Sequence, residues 1–143
     1  MTLIELMFVI IVGAILASIA MVSYANYADN MKVSQAQNDI VLIQHAVERF
    51  RSSNYRVPAN LAEINFDTKL DPWGRPYYYQ PFFTPADYKL ARKDKKLHPL
   101  NTDFDLYSAG KDGATRLPLT AKESQDDVVR ANDGGFIGLA STY

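Results

Sequence analysis

The sequence contains no cysteine among its 143 residues, which excludes a disulfide framework and thiolate chemistry. It also has no excess of charge of either sign, since 15 Lys and Arg residues stand against 16 Asp and Glu, for a formal net charge of -1. Nucleic-acid-binding proteins rely on a basic field that this chain lacks, so nucleic acid is disfavoured as a partner. The length suits one modest domain with an appendage.

Apolar residues are concentrated before Tyr24, and charged residues become frequent only after Asp29. The apolar run over residues 6–22 is near the lower limit for a helix that crosses about 30 Å of hydrocarbon. No basic region precedes it, so the run does not read as an ordinary secretory signal. The sequence therefore predicts a membrane segment joined to a polar head.

Glu5 is the only side chain with a formal charge before residue 29. A carboxylate in hydrocarbon costs about 2.5 to 3.5 kcal/mol on insertion scales, so it needs a partner or water. The amine of Met1 in a neighbouring copy would be a suitable partner. Alternatively, Glu5 lies close enough to the end of the membrane segment for its carboxylate to reach headgroup water. Spacing alone leaves both open.

The opening stretch MTLIELMFVIIVGAILASIA resembles the mature N-terminus of the type IV pilin and type II secretion pseudopilin superfamily, with residues 2–5 in register. The resemblance implies that a prepilin peptidase removes a short leader and that Met1 is the N-methylated first residue. It also implies that Met1, Thr2, Leu3 and Glu5 act in assembly, with Glu5 pairing with the amine of an adjacent subunit. Val22 stands where most members have a proline that kinks the helix.

A second apolar pattern continues the first segment at alternating steps of three and four, which indicates one buried helix face. No Gly or Pro occurs from Ala14 to Ser53, so a continuous helix of about 50 residues is expected to end at residues 52–54. Its apolar face could pack in a coiled coil or, as we favour, on a small sheet. The positions on this face are Val33, Ala36, Ile40, Ile43, Val47 and Phe50, whereas Asp39, Gln44, Glu48, Arg49 and Arg51 are expected mainly on other faces.

The rest of the chain predicts short strands separated by turns. VPANLAEI favours a helical turn capped by Asn60, and DPWG favours a tight turn. Strands are expected in the aromatic stretch beginning at Tyr77, as an edge strand because of its prolines, then in YKLAR and in FDLYS, with residues 92–96 as a charged loop or hairpin end. The fold class is therefore α+β, an α-helical spine with an antiparallel head, divided as 1–23, 24–53 and 54–143.

The aromatic cluster has two interpretations. Aromatic faces stack on sugars or bases, but a head of this size also needs bulky side chains to cover its helix. We favour a core role, because Arg75 is the one basic residue close by. The cluster consists of Tyr77, Tyr78, Tyr79, Phe82 and Phe83.

LDPWGRPYYY and FDLYSAGKDG narrow the resemblance to the major pseudopilins of type II secretion. The resemblance implies a structural subunit that sits in the bacterial inner membrane with its head in the periplasm and then polymerises into a helical fibre. It implies as partners other copies, minor pseudopilins, the inner-membrane assembly platform and the prepilin peptidase. A surface type IV pilus subunit is the close alternative, and a monomeric membrane-anchored binding domain is a third.

Acidic residues crowd the last third of the chain among glycines, but without the spacing of an EF-hand. On spacing alone, solvated acidic loops are favoured. The resemblance instead implies a calcium site formed by Asp112, Asp126 and Asp127, with carbonyl oxygens from Ala109 and Ser124. The connection between Gly113 and Asp126 is longer than is usual in the family. The tail beyond it is expected to add a strand or to pack between subunits.

Catalysis is not expected. His45 lies on the predicted helix and His98 precedes a proline in a loop, and neither belongs to a recognised nucleophile pattern. Asp126 and Asp127 are adjacent, and adjacent carboxylates rarely converge on one substrate. The sequence predicts a structural protein and not an enzyme.

Overall fold

The computed structural model describes residues 1–95 and 97–143. A single long helix, α1, spans Leu3–Asn54 and continues without interruption through Val22. It ends where Tyr55 adopts a left-handed conformation, with φ of 55°, and the residue before Pro58 is disfavoured in a helix. The predicted length and end of the helix are confirmed.

The chain consists of two compact units, Met1–Lys32 and Val33–Tyr143. The first unit consists almost entirely of the N-terminal part of α1, and its apolar side chains are exposed. Among the described residues, α1 is the one helix long and apolar enough to cross a membrane, and none of its most apolar window is buried.

The second unit contains the rest of α1 and a four-stranded sheet. The strands are antiparallel neighbours in chain order, so the sheet is a simple meander. The prolines of the aromatic stretch explain why the first strand lies at an edge, where a missing N–H disrupts no ladder. The strands are β1 (Tyr78–Pro81), β2 (Phe104–Ser108), β3 (Val128–Ala131) and β4 (Phe136–Leu139).

The main core lies between one face of the sheet and the C-terminal part of α1. Ile40, Ile43 and Val47 are fully buried there against Phe104 and Leu106. The helix therefore packs on a sheet, as predicted, and the α+β prediction is confirmed. A smaller cluster built around Val129, Leu119 and Leu100 covers the opposite face of the sheet.

One helix position was predicted wrongly. Asp39 is only 5% exposed, although the sequence pattern placed it off the apolar face. Its carboxylate accepts a 2.8 Å hydrogen bond from the hydroxyl of Tyr77 and lies 3.0 Å from Lys69 Nζ. A buried carboxylate is tolerated here because both partners come from the head.

The two turns predicted at Asn60 and in DPWG are present in the structure. Asn60 accepts a hydrogen bond from the Glu63 amide at the start of a 3-10 turn, and Asp71 accepts one from the Gly74 amide in DPWG. The tail adds β3 and β4, one strand more than expected.

YKLAR was predicted to be a strand, but it is not one: a 3-10 turn spans Asp87–Leu90. The carboxylate of Asp87 accepts bonds from the backbone amides of Phe83 and Thr84 and favours this tight turn over an extended chain. The stretch predicted as a charged loop or hairpin end turns back through an Asp94–Leu97 bridge, with Lys96 outside the described residues.

Candidate functional site

The predicted assembly residues lie at the exposed start of α1. Met1 is 95% exposed and Leu3 is 82% exposed. The Thr2 amide donates to Glu5 Oε2 over 3.2 Å, and the Glu5 amide donates to Thr2 Oγ1 over 3.3 Å. This reciprocal pair is a capping box, which satisfies two amides that a helix start leaves without partners. The pattern T-x-x-E before an apolar run could have revealed it from the sequence.

The side chains that follow the capping box form an exposed apolar surface. Phe8 is 68% exposed, Ile10 is 61% exposed and Leu16 is 62% exposed. Apolar residues cover the whole circumference of the helix here, unlike the one-sided face after residue 33. A surface of this kind requires lipid or other protein chains around it.

Two of the predicted calcium ligands lie together on a surface loop. The Asp112 amide donates to Asp126 Oδ2 over 2.9 Å, and Asp112 Oδ1 accepts from the Ala114 amide over 2.8 Å. Gly110 makes this approach possible, because a Cβ at that position would overlap the backbone oxygen of Asp126. The loop is thus closed by its own carboxylates.

The third predicted ligand points into the protein. Asp127 is 0% exposed, and its Oδ2 lies 2.7 Å from Arg92 Nη2 and 2.6 Å from the hydroxyl of Thr115. Burial raises the pKa of Asp127 to about 6, while the Thr115 hydrogen bond and the charge of Arg92 act in the opposite direction. The side chain of Asp127 therefore bonds in the interior, whereas Asp112 and Asp126 bond to each other on the surface loop.

The two predicted carbonyl donors are buried. Ala109 is 1% exposed and Ser124 is 0% exposed. The backbone oxygen of Ser124 accepts from the Asp127 amide, and its hydroxyl bonds with the backbone of Arg116. Over residues 1–95 and 97–143, no three His, Asp or Glu side chains are grouped so that they could hold a metal.

Calcium binds six to eight oxygens, and a guanidinium 2.7 Å from a ligand oxygen would oppose a second cation there. Asp127 accordingly does not fit the predicted calcium site. The predicted ligation by Asp112, Asp126, Ala109 and Ser124 stays a prediction.

Arg92 is the residue that sequence reasoning missed. It lies in ARKDKK, a run of charges that is typical of a solvated loop, yet it is 2% exposed. Its guanidinium stands 4.3 Å from the centre of the Tyr107 ring, and its backbone amide donates to Asp105 Oδ2 over 2.6 Å. Nothing in the local sequence distinguishes it from the exposed Lys93 that follows.

The aromatic cluster divides between the core and the surface. Tyr77 and Phe82 are buried, as a core role predicts, and Tyr79 packs against the core. Tyr78 is 43% exposed and Phe83 is 54% exposed. The Tyr78 ring stacks on Tyr107 with centroids 5.0 Å apart, so part of this surface is already paired within the sheet.

The two histidines are both exposed. His45 lies on the solvent side of α1, and His98 lies in the loop before β2. We propose no catalytic role for either.

Comparison with known proteins finds a relative among secretion-system proteins. The chain is similar to type II secretion system core protein G of Pseudomonas aeruginosa, with 29% identity over an aligned length of 133 residues; 78% of this chain and 82% of the relative are covered. This similarity supports a relationship to pseudopilins. The α+β architecture, with a long N-terminal helix and an antiparallel sheet, is the one described for pilin-like proteins.

The relationship rests on this sequence similarity and on the fold. No protein-family model and no solved structure matches this chain. The relative is named a core protein of a type II secretion system.

Proposed function

We propose that the chain is the structural subunit of a type II secretion pseudopilus. Copies polymerise into a helical fibre that assists protein export across the outer membrane. The observation that carries the proposal is the exposed apolar surface of the N-terminal helix, in a protein similar to a type II secretion core protein.

The same helix surface serves two environments in turn. Before assembly, residues 6–22 lie in the inner membrane and the head lies in the periplasm. In the fibre, the surface packs against the helices of other copies, which replace lipid as the apolar surroundings. The expected partners are other copies, minor pseudopilins, the inner-membrane assembly platform and the prepilin peptidase, whose cleavage precedes N-methylation of Met1.

Glu5 has two separable roles in this proposal. Within one copy, Oε2 caps the helix through the Thr2 amide. Between copies, the negative charge pairs with the amine of Met1 in the adjacent subunit, which removes the cost of a carboxylate in apolar surroundings. Glutamine occupies the same position in capping boxes, so Glu5→Gln retains the cap and removes the charge.

The test compares fibre formation in Glu5→Gln, Glu5→Ala and the matched cap variant Thr2→Ala. Electron microscopy would count fibres after overproduction, and membrane fractionation would check insertion. We expect both Glu5 variants to insert normally and to lose fibres at least about 10-fold, as removing an ion pair worth more than about 1.4 kcal/mol requires. Thr2→Ala removes the cap but keeps the charge of Glu5, so it should lose fewer fibres than either Glu5 variant. Wild-type fibre numbers in Glu5→Gln would contradict the charge pairing.

A second experiment separates the pseudopilus from its alternatives. Deletion of the protein should abolish secretion of exoproteins to the medium, and the wild-type gene should restore it. If the wild-type strain carries the fibres on its cell surface and the deletion strain still secretes exoproteins, the protein is instead a type IV pilus subunit. A wild-type protein that stays monomeric after overproduction would indicate a membrane-anchored binding domain.

A further inference from the structure

The structure contains a buried cation inside the head, paired with Asp127, one of the residues that the resemblance implied as metal ligands. The guanidinium of Arg92 lies on the sheet face opposite α1, between the ring of Tyr107 and the carboxylate of Asp127. Its Nη1 also donates to the hydroxyl of Thr115. Arg92 therefore joins three parts of the second unit: its own loop, β2, and the connection that leads into β3.

We propose that Arg92 is an internal cation that takes the place of a divalent metal in this head. Its guanidinium neutralises Asp127 and clamps the connection of residues 113–127 onto the sheet. The head accordingly keeps its fold without calcium. This inference concerns the stability of the head and does not depend on the proposed role in a fibre.

The first argument is the charge and hydrogen bonding of the cluster. Asp127 Oδ2 already accepts from Arg92 and from Thr115. The second nearby carboxylate, Asp105, accepts from the Arg92 amide at 2.6 Å and from Asn101 Nδ2 at 2.8 Å. Both oxygens of Asp105 and one oxygen of Asp127 thus accept from donors of the protein itself. A divalent cation bound to these oxygens would have to displace those donors against the charge of the guanidinium.

The second argument concerns the atoms that remain without a partner. Asp127 Oδ1 and Arg92 Nε are buried and make no hydrogen bond with the described residues. One is an acceptor and the other is a donor. A calcium ion needs several acceptor oxygens, so these two atoms do not form a calcium site.

The third argument is the anchoring of the clamp. Arg92 is held at both sides of its Cα, because its amide donates to Asp105 and its carbonyl accepts from the Leu100 amide over 3.0 Å. A fixed guanidinium brings its fork to Asp127 and Thr115 at little further cost in side-chain entropy. The chain has no disulfide that could hold this connection instead.

The decisive experiment is a calcium titration of the full-length wild-type chain in detergent micelles after treatment with EGTA. Circular dichroism would follow the melting temperature, with magnesium as the matched control ion. At about ten times a weak dissociation constant of about 1 mM, a filled site would raise the melting temperature by about 5 °C. We expect calcium to change it by no more than magnesium does. A rise of about 5 °C that is specific to calcium would overturn the proposal.

A double-mutant cycle tests the clamp itself, with Arg92→Met, Asp127→Asn and the double variant. Arg116→Met is the matched control, because that arginine pairs with Glu123 through a side chain that is 68% exposed. We expect Arg92→Met to lower the melting temperature by at least about 10 °C and Arg116→Met by less than about 2 °C. The double variant should lose clearly less than the sum of the single losses, and additive losses would contradict the clamp. If Arg92→Met does not fold, the wild-type calcium titration still decides.

Discussion

Arg130 Nε donates a 2.7 Å hydrogen bond to Gln44 Oε1, which joins β3 to α1 across 86 positions of sequence. The same guanidinium lies 3.9 Å from the centre of the Phe104 ring and 2.8 Å from Asp103 Oδ1. Arg130 is 2% exposed, so one charged side chain holds the helix, β2 and β3 together inside the second unit. Substitution of Arg130 therefore tests how much these contacts between α1 and the sheet contribute to stability.

Replacing Arg130 by Met should lower the free energy of unfolding by about 3 kcal/mol, because it leaves Asp103 without its buried partner. Arg51 lies 3.7 Å from Asp103 and limits the loss. Gln44→Ala, which removes one hydrogen bond, should cost about 1 kcal/mol. Denaturant unfolding of the full chain in detergent would measure both losses. Equal losses in the two variants would contradict the central role of the guanidinium.

Neighbouring tyrosines provide a second, matched prediction. The Tyr77 hydroxyl donates to the buried carboxylate of Asp39, and burial and that carboxylate raise the pKa of Tyr77. Tyr77→Phe should therefore cost about 1 to 2 kcal/mol, since Asp39 loses a donor. Tyr78→Phe should cost less than about 0.5 kcal/mol, because the side chain is half-exposed and its hydroxyl makes no hydrogen bond with the described residues. Urea unfolding would compare the midpoints of the two variants. Indistinguishable midpoints would contradict a stabilising hydrogen bond between Tyr77 and Asp39.

Two glycines with similar backbone conformations should respond differently to alanine. Gly74 and Gly110 have φ of 85° and 65°, so both substitutions carry backbone strain of about 1 to 2 kcal/mol. A Cβ at Gly74 meets nothing within 4 Å, whereas one at Gly110 meets the backbone of Asp126. Gly110→Ala should thus lower the melting temperature several times more than Gly74→Ala. A similar shift in both would mean that the loop of Asp112 and Asp126 adapts easily.

Segments with a regular pattern of apolar residues could be predicted from the sequence, and positions that depend on distant contacts could not. The helix face at Ile40, Ile43 and Val47 repeats every three or four residues, so its burial could be predicted from local sequence. Asp39 sits beside that face, and only the distant Tyr77 and Lys69 make its burial tolerable. Such a contact depends on residues far along the chain, and periodicity contains no information about it.

The candidate sites show the same division. Glu5 and Thr2 form their capping box within one helical turn, so the signature T-x-x-E is enough to predict it. Arg92 is buried because Thr115 and Asp127 reach it from another part of the chain. Arg92 and Lys93 are adjacent charged residues, and the local sequence does not indicate which of the two side chains is buried.

The last prediction concerns pH. Burial alone would raise the pKa of Asp133, but the amide and hydroxyl of Thr102, each at 2.7 Å, and the charge of Arg130 outweigh it and lower the pKa. In the unfolded chain, the pKa of an Asp carboxyl is about 3.9. The ionised form of Asp133 therefore stabilises the fold above that pH, and this stabilisation is lost as the pH falls through the lowered pKa of the folded state. Asp133→Asn should lose stability at pH of about 7 and approach the wild type in acid. Asparagine also accepts the φ of 53° at this position, so backbone strain does not enter the comparison. Urea unfolding across the acid range would measure the difference, and a gap that stays constant down to pH of about 2 would contradict the assignment.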